Sequence, residues 1–252
     1  MHFVPQILFM VIASVAIWLF TKKAAKIRRN ILAGKDENYS GDAVERWKNV
    51  LLLAFGQKKM FNKPLVGVMH FIIYAGFIII NIEVLEIFLD GVLGTHRLFG
   101  APMGRFYTFM IDFFELLALG VIIVCVVFLA RRNLLQIKRL RMRELKGWPR
   151  NDANLILIIE IILMSLFLTM NTADTLLQER GYGHYAGYSG NFVISSLLHP
   201  IFNALSNETL VATERACWWL HIAGIFAFLN YLPYSKHLHI LLAFPNAYFA
   251  RL

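Results

Sequence analysis

The chain is 252 residues long, 58% hydrophobic and only 16% charged, with a formal net charge of +9 at pH 7. Soluble domains carry about 45–50% apolar and about 25% charged residues, so this balance excludes an ordinary water-soluble fold. Nucleic-acid binding is excluded by where the charge sits: of 25 Lys and Arg, all but Arg97, Arg105, Arg180 and Arg215 fall in two connections and the tail.

Five runs are apolar and long enough to cross a bilayer, at about 3–21, 65–89, 107–130, 153–173 and 214–233. A spanning backbone must satisfy its own hydrogen bonds, which in a chain this apolar means helices. The predicted fold class is all-α, a polytopic membrane helix bundle of five transmembrane helices forming one domain over 1–252. The two basic connections and the tail belong on the cytoplasmic side by the positive-inside rule, putting the N-terminus outside and the C-terminus in the cytoplasm. The membrane expected is a bacterial or archaeal cytoplasmic membrane, with its lipid as the surrounding partner.

The first run, MHFVPQILFMVIASVAIWLF, lacks a basic leading region and a small-residue cleavage site, so it reads as a span and not as a signal peptide. The inner connection 22–63 follows. Within it DAVERWKNVLLLAFG repeats apolar residues at Val44, Trp47, Val50, Leu51 and Ala54. That spacing predicts an amphipathic helix on the inner membrane face or against a partner, or a solvated helix with one apolar stripe.

The second span carries His70 in PLVGVMHFIIYAGFIII, seven residues beyond Lys63. That places it roughly 10 Å inside the boundary, where an ionisable residue marks a functional site by default. The alternative is an imidazole hydrogen-bonded to a neighbouring helix. Carboxylates are costly at such depth: Glu83 and Glu86 lie in the second span, Asp112 and Glu115 in the third, Glu160 in the fourth. Asp112 and Glu115 are three apart, hence on one helix face, and are candidate proton acceptors. Pairing with Tyr74, Asn81 or Asn171 is the structural alternative. Arg131 and Arg132, below the third span, suit either haem propionates or an anchoring role.

The outer segment 174–213 contains a Gly/Tyr loop, GYGHYAGYSG, and NFVISSLLHPIFNAL, too short to span and interrupted by Pro200. It reads as a piece covering the bundle. In the fifth span WWLHIAGIFAFLNYLPYSKHLHI places His221 and His239 18 residues apart. In a continuous helix that is five turns and about 27 Å, so the two would share a face at opposite sides of the bilayer, with Pro233 bending the helix between them. His237 points elsewhere, toward headgroups or a partner. By depth, His70 pairs with His239, and two facing imidazoles on different helices are what a b-type haem iron requires. Cys125 and Cys217 form no CxxC pair, so the chain has no iron–sulfur ligand set of its own. The stop at FPNAYFARL, just after the fifth span, suggests a domain boundary inside a longer polypeptide.

P-Y-S-K-H-L-H, a histidine 18 residues upstream of its second histidine, and a histidine early in the second span together resemble the dihaem cytochrome b family. That family comprises the nitrate reductase gamma subunit and heterodisulfide reductase membrane subunits. The resemblance covers the whole bundle and is most specific over 64–80 and 216–246. It implies His239 and His70 as ligands of an inner haem b and His221 as a ligand of an outer one. The family's second histidine, ten residues after the first on the second span, is Ile80 here. His221 would then need His199, His96, Met110 or Met164 as its partner, with His199 first; otherwise one haem, not two, is expected. The implied function is electron transfer between a membrane quinone, of the menaquinone type, and a cytoplasmic iron–sulfur protein or a fused C-terminal iron–sulfur domain, with Asp112 and Glu115 as candidates to take the protons of the quinol. The rival reading is a cofactor-free membrane anchor or small proton or ion transporter using the same histidines and acids. No internal repeat favours it.

Overall fold

The structure, a computed structural model, describes residues 3–35, 41–57, 60–135, 137, 142–143, 147–186 and 191–250. His2, parts of the first and third connections and the end of the GYGHYAGYSG loop lie outside the described residues. No strand occurs among the described residues, and five helices are long and apolar enough to cross a membrane. In chain order the helices are α1 (Val4–Leu32), α2 (Ala43–Asn49), α3 (Pro64–Leu93), α4 (Gly100–Met103), α5 (Arg105–Asn133), α6 (Trp148–Glu179), α7 (His199–Phe202), α8 (Asn207–Tyr231) and α9 (Leu238–Tyr248).

Local chemistry sets most boundaries. Prolines occupy the first turn of α1, α3 and α6, where a missing N–H costs nothing. Ser206 caps α8 by accepting from the Thr209 N–H at 3.3 Å. The chain leaves α3 through Gly94 at φ +73°, and a Cβ there would lie 2.1 Å from the Gln6 amide nitrogen. That Gln6 Nε2 donates to the Leu93 carbonyl at 3.1 Å, tying the start of α1 to the end of α3.

Helices α3, α5, α6 and α8 form an antiparallel four-helix bundle, and α1 lies along α3 and α8. Phe9, Ala13 and Ala16 are the buried stripe of α1; Phe9 meets Phe88, Trp218 and Phe226 with ring centroids 5.4–6.0 Å apart. Ile12, Phe20, Ala24 and Ile27 are half-buried and most other apolar side chains of α1 are exposed, as lipid-facing residues must be. The long helices alternate direction, so the bundle has two ends. One carries Gln6, Arg97 and the 191–206 segment; the other carries His70, Arg132 and Tyr231.

At the His70 end the amphipathic stretch forms α2 followed by a π-helical turn, Val50–Phe55. Its partner is the same chain: Val50 and Ala54 bury against Ala247 of α9. Trp47 stacks edge-on with Tyr248 at 5.3 Å, and Arg46 donates to the Tyr248 carbonyl at 3.0 Å. Val44 and Leu51, from the same predicted stripe, stay exposed.

The five-turn ruler does not survive. Helix α8 ends at Tyr231, a 3₁₀ turn covers Leu232–Tyr234, and Ser235 is extended before α9 begins at Leu238. Pro233 therefore ends the helix instead of bending it, and His221 and His239 stand on different helices. Asp152 of α6 holds this corner, accepting from the Lys236 N–H at 2.9 Å and from the Tyr231 hydroxyl.

Candidate functional site

The Arg97 end holds a buried polar network that sequence reasoning did not assemble. Arg97, 9% exposed at its side chain, donates from Nε to Asp174 at 2.5 Å, from one terminal nitrogen to Asn171 at 2.8 Å, and from the other to the Tyr107 hydroxyl at 3.2 Å. Its guanidinium lies 4.7 Å from the centre of the Phe192 ring. Burial opposes its charge, but Asp174, Tyr107 and Glu83 together outweigh that and hold the guanidinium well above the ordinary arginine range. His96 adds a second donor to Asp174 at 3.3 Å. The carboxylates around it are each held: Asp90 by Thr95 and the Arg97 and Leu98 N–H groups, Glu86 by the Phe99 N–H and Tyr107, Glu214 by Tyr185 and Arg215. Glu83 differs: its Oε1 is 3.9 Å from Arg97 and its Oε2 is buried without a partner. The signal for this network was in the sequence, since Glu83, Glu86 and Asp90 recur on one face of α3 and need an inward cation.

Glu115 serves the fold. It is fully buried and accepts from Asn171 Nδ2 at 3.0 Å, the Ile194 and Ser195 N–H groups at 2.8 and 3.1 Å, and the Ser195 hydroxyl. These bonds pin the 191–206 segment across the end of α5 and α6, so both oxygens are occupied. Asp112, its expected companion, is half-buried with Oδ1 lacking a partner. Glu115→Ala strands several buried donors, each worth about 1–3 kcal/mol; cleavage by a soluble protease within 191–206 is expected to accelerate at least tenfold.

The histidines separate into two places. His221 is 1% exposed and donates its Nδ1–H to the Leu163 carbonyl at 2.9 Å. A carbonyl only accepts, so this bond fixes the tautomer, as second-shell bonds do for ligating imidazoles, and leaves Nε2 unprotonated. That ring lines a cavity of about 70 Å³ in the middle of the four-helix bundle, bounded by Gly76, Ile80, Asn81, Glu160, Met164 and neighbours. His199 is not brought there. It is hydrogen-bonded to Thr175 at 2.9 Å and lies 3.6 Å from Glu179, and Thr175 is twelve residues, about 18 Å, along α6 from Leu163. His96 is tied to Asp174 instead. Of the expected alternatives only Met164 lines the His221 cavity.

At the opposite end His70, His237 and His239 lie within electrostatic reach of one another. His239 is exposed and donates Nδ1–H to the Lys236 carbonyl at 2.6 Å, again leaving Nε2 open. His70 has its Nδ1 buried with no partner. His237 packs on Phe228 at 5.4 Å rather than pointing away, and burial, with His239 and His70 nearby, pushes it down to about 4. Arg132, with a buried and unpartnered Nε, stands beside Arg150 at this end. Among the described residues no group of three or more His, Cys, Asp or Glu gathers to hold a metal ion. A haem iron asks the protein only for axial ligands, so His70 and His239 suit it: an open Nε2 on His239, a buried Nδ1 without a partner on His70, and arginines for propionates.

Five helices long and apolar enough to cross a membrane define a multi-pass membrane protein. Two curated proteins are similar. "Probable iron-sulfur-binding oxidoreductase FadF" of Bacillus subtilis (strain 168) is 24% identical over 249 residues, covering 98% of this chain and 33% of that protein. "EtfAB:quinone oxidoreductase" of Syntrophomonas wolfei subsp. wolfei (strain DSM 2245B / Goettingen) is 25% identical over 229 residues, covering 85% of this chain and 29% of that protein. The chain thus spans about a third of the length of the curated relatives it matches. No family model matches it, and no solved structure matches it significantly.

Proposed function

We propose that the chain is the electron-conducting membrane domain of an oxidoreductase, passing electrons between a membrane quinone and a cytoplasmic iron–sulfur protein or fused iron–sulfur domain. The observation that carries this reading is the meeting of His70 and His239 from different helices at one end of the bundle. His239 keeps Nε2 open by spending Nδ1–H on Lys236, and His70 has a buried Nδ1 without a partner. The printed names of the two relatives, one iron–sulfur-binding and one acting on quinone, support the two ends of the path.

The inner haem b would be held by His70 and His239, with Arg132 available to its propionates; when bound, it supplies a one-electron carrier inside the membrane. The protein lines this end with the apolar faces of α3 and α8 and anchors the start of α9 through Asp152, which accepts from the Lys236 N–H. His221 is kept apart from His199 and His96 and has only Met164 of the expected partners on its cavity wall; no second imidazole among the described residues faces it there, and the proposal carries one haem. The charge split supports an outside N-terminus and a cytoplasmic His70 end, in a bacterial or archaeal cytoplasmic membrane. The ion-path alternative has less support, because Glu86, Asp90, Glu115, Asp174 and Glu214 are each occupied by fixed donors.

Pyridine haemochrome analysis of the purified protein should give one haem b per chain, reduced within seconds by 2,3-dimethyl-1,4-naphthoquinol under argon. Haem that dithionite reduces but the quinol does not would remove the quinone from this proposal.

A further inference from the structure

We infer that the groove between the last turns of α1 and the start of α9 binds one anionic phospholipid, with its phosphate on Arg28 and an acyl chain along the groove. The inference does not use the electron path.

The groove follows from the break after α8. That helix ends at Tyr231, and the 3₁₀ turn and extended Ser235 keep α9 from continuing it. Helix α9 then divides its surface. Ala243, Phe244 and Ala247 pack with Val50 and Ala54, while Leu238, Leu241 and Leu242 line the groove. Phe20, Ala24 and Ile27 of α1 form the other wall, and the two walls leave about 230 Å³ between them. A cavity of roughly 150 Å³ lined by such side chains already takes a benzene, so a stretch of acyl chain fits.

Depth says what fills it. Helix α1 has 29 residues and is therefore about 43 Å long, against roughly 30 Å of hydrocarbon. Its apolar run stops at Lys22, so the turns from there to Leu32 stand among headgroups and beyond. An aliphatic groove at that depth meets water unless something apolar covers it. The groove begins at Phe20, on the hydrocarbon side of Lys22, and is continuous there with the bilayer. An acyl chain leaving the core beside Phe20 and passing Ala24 brings its headgroup to Arg28, about 12 Å along the helix.

Charge selects the headgroup. Arg28 is the charged side chain in the wall; it is exposed and in no ion pair among the described residues. Lys22, Lys23, Lys26 and Arg29 flank it, and residues 18–35 contain no Asp or Glu. Helix α9 contains none either. Lys23 sets its ammonium 3.9 Å from the centre of the Tyr234 ring, next to Pro233, which also lines the groove. A guanidinium bonds phosphate through two parallel N–H donors. Five cations without a carboxylate favour a lipid of net negative charge, and they repel the ammonium of phosphatidylcholine. The proposed topology puts this end in the cytoplasmic leaflet, whose anionic lipids attract such segments. A lipid held there ties α1 to α9, the helix that carries His239.

The test is native mass spectrometry of the full protein purified in mild detergent, then delipidated and offered dioleoyl phosphatidylglycerol or dioleoyl phosphatidylcholine. About 0.3 M salt screens the delocalised attraction of the basic segment. One anionic phospholipid per chain should survive purification, and phosphatidylglycerol should rebind about tenfold more tightly than phosphatidylcholine, the worth of one charged hydrogen bond. Arg28→Gln should erase that preference. Arg29→Gln, which removes the same charge one residue outside the groove wall, should keep it. Leu241→Trp fills the groove and should lose the lipid with Arg28 still present; far-UV circular dichroism checks that its helices persist. Equal binding of the two lipids, equal losses in Arg28→Gln and Arg29→Gln, or wild-type retention in Leu241→Trp overturns the inference.

Discussion

Replacing His70 or His239 by Ala is expected to abolish one and the same haem, leaving the reduced spectrum flat in either variant. His237→Ala, two residues from His239, should retain it. The expectation follows from the tautomer at His239, whose Nδ1–H is committed to Lys236, and from the buried, unpartnered Nδ1 of His70. An iron axis needs both imidazoles, so removing either is as damaging as removing both. Exogenous imidazole should restore part of the band in His70→Ala, because the cavity left has the shape of the missing ring. Retention of full haem in His70→Ala, or its loss in His237→Ala, would break the assignment of ligands.

Arg97→Leu carries the largest expected cost to stability. The change removes the one guanidinium that, among the described residues, serves Asp174, Asn171 and Tyr107 together, and leaves Asp174 buried with His96 and Gln178 as its donors among them. Breaking a buried pair by deleting one partner costs about 3–5 kcal/mol. For a chain of this size that lowers the unfolding midpoint by on the order of 10 °C, measurable by thermal unfolding in detergent. Arg97→Lys should recover only a fraction, since a single ammonium cannot span three acceptors. The double variant Arg97→Leu with Asp174→Asn should be more stable than Arg97→Leu alone. If Arg97→Leu unfolds within a degree of the wild type, the network is not a structural lock.

These two ends of the bundle also show what a sequence discloses and what it withholds. All five spans were legible because hydrocarbon thickness imposes a long apolar run. Their ends were not, since hydropathy stops where the helices do not: α1 runs on through Lys22 to Leu32, and α8 begins at Asn207 behind its Ser206 cap. The depth of His70 could be counted from Lys63, but the shared face of His221 and His239 could not, because it presumed an unbroken helix through Pro233. His199 was assigned by the apolarity of its segment. Its real partners, Thr175 and Glu179, are set by how that segment folds back on α6. Arg97 was counted only as one of four outer charges; its role depends on a chain turn at positive φ that no periodicity announces. The amphipathic stretch 43–55 was readable as such, though not that α9 of the same chain would cover it.

The central claim is that this bundle carries electrons on haem b, and a dithionite-reduced minus oxidised visible spectrum of the purified protein tests it most directly. The account predicts a reduced b-type α band of an intensity matching one haem per chain. A difference spectrum with no such band, from protein purified intact and folded, would contradict it.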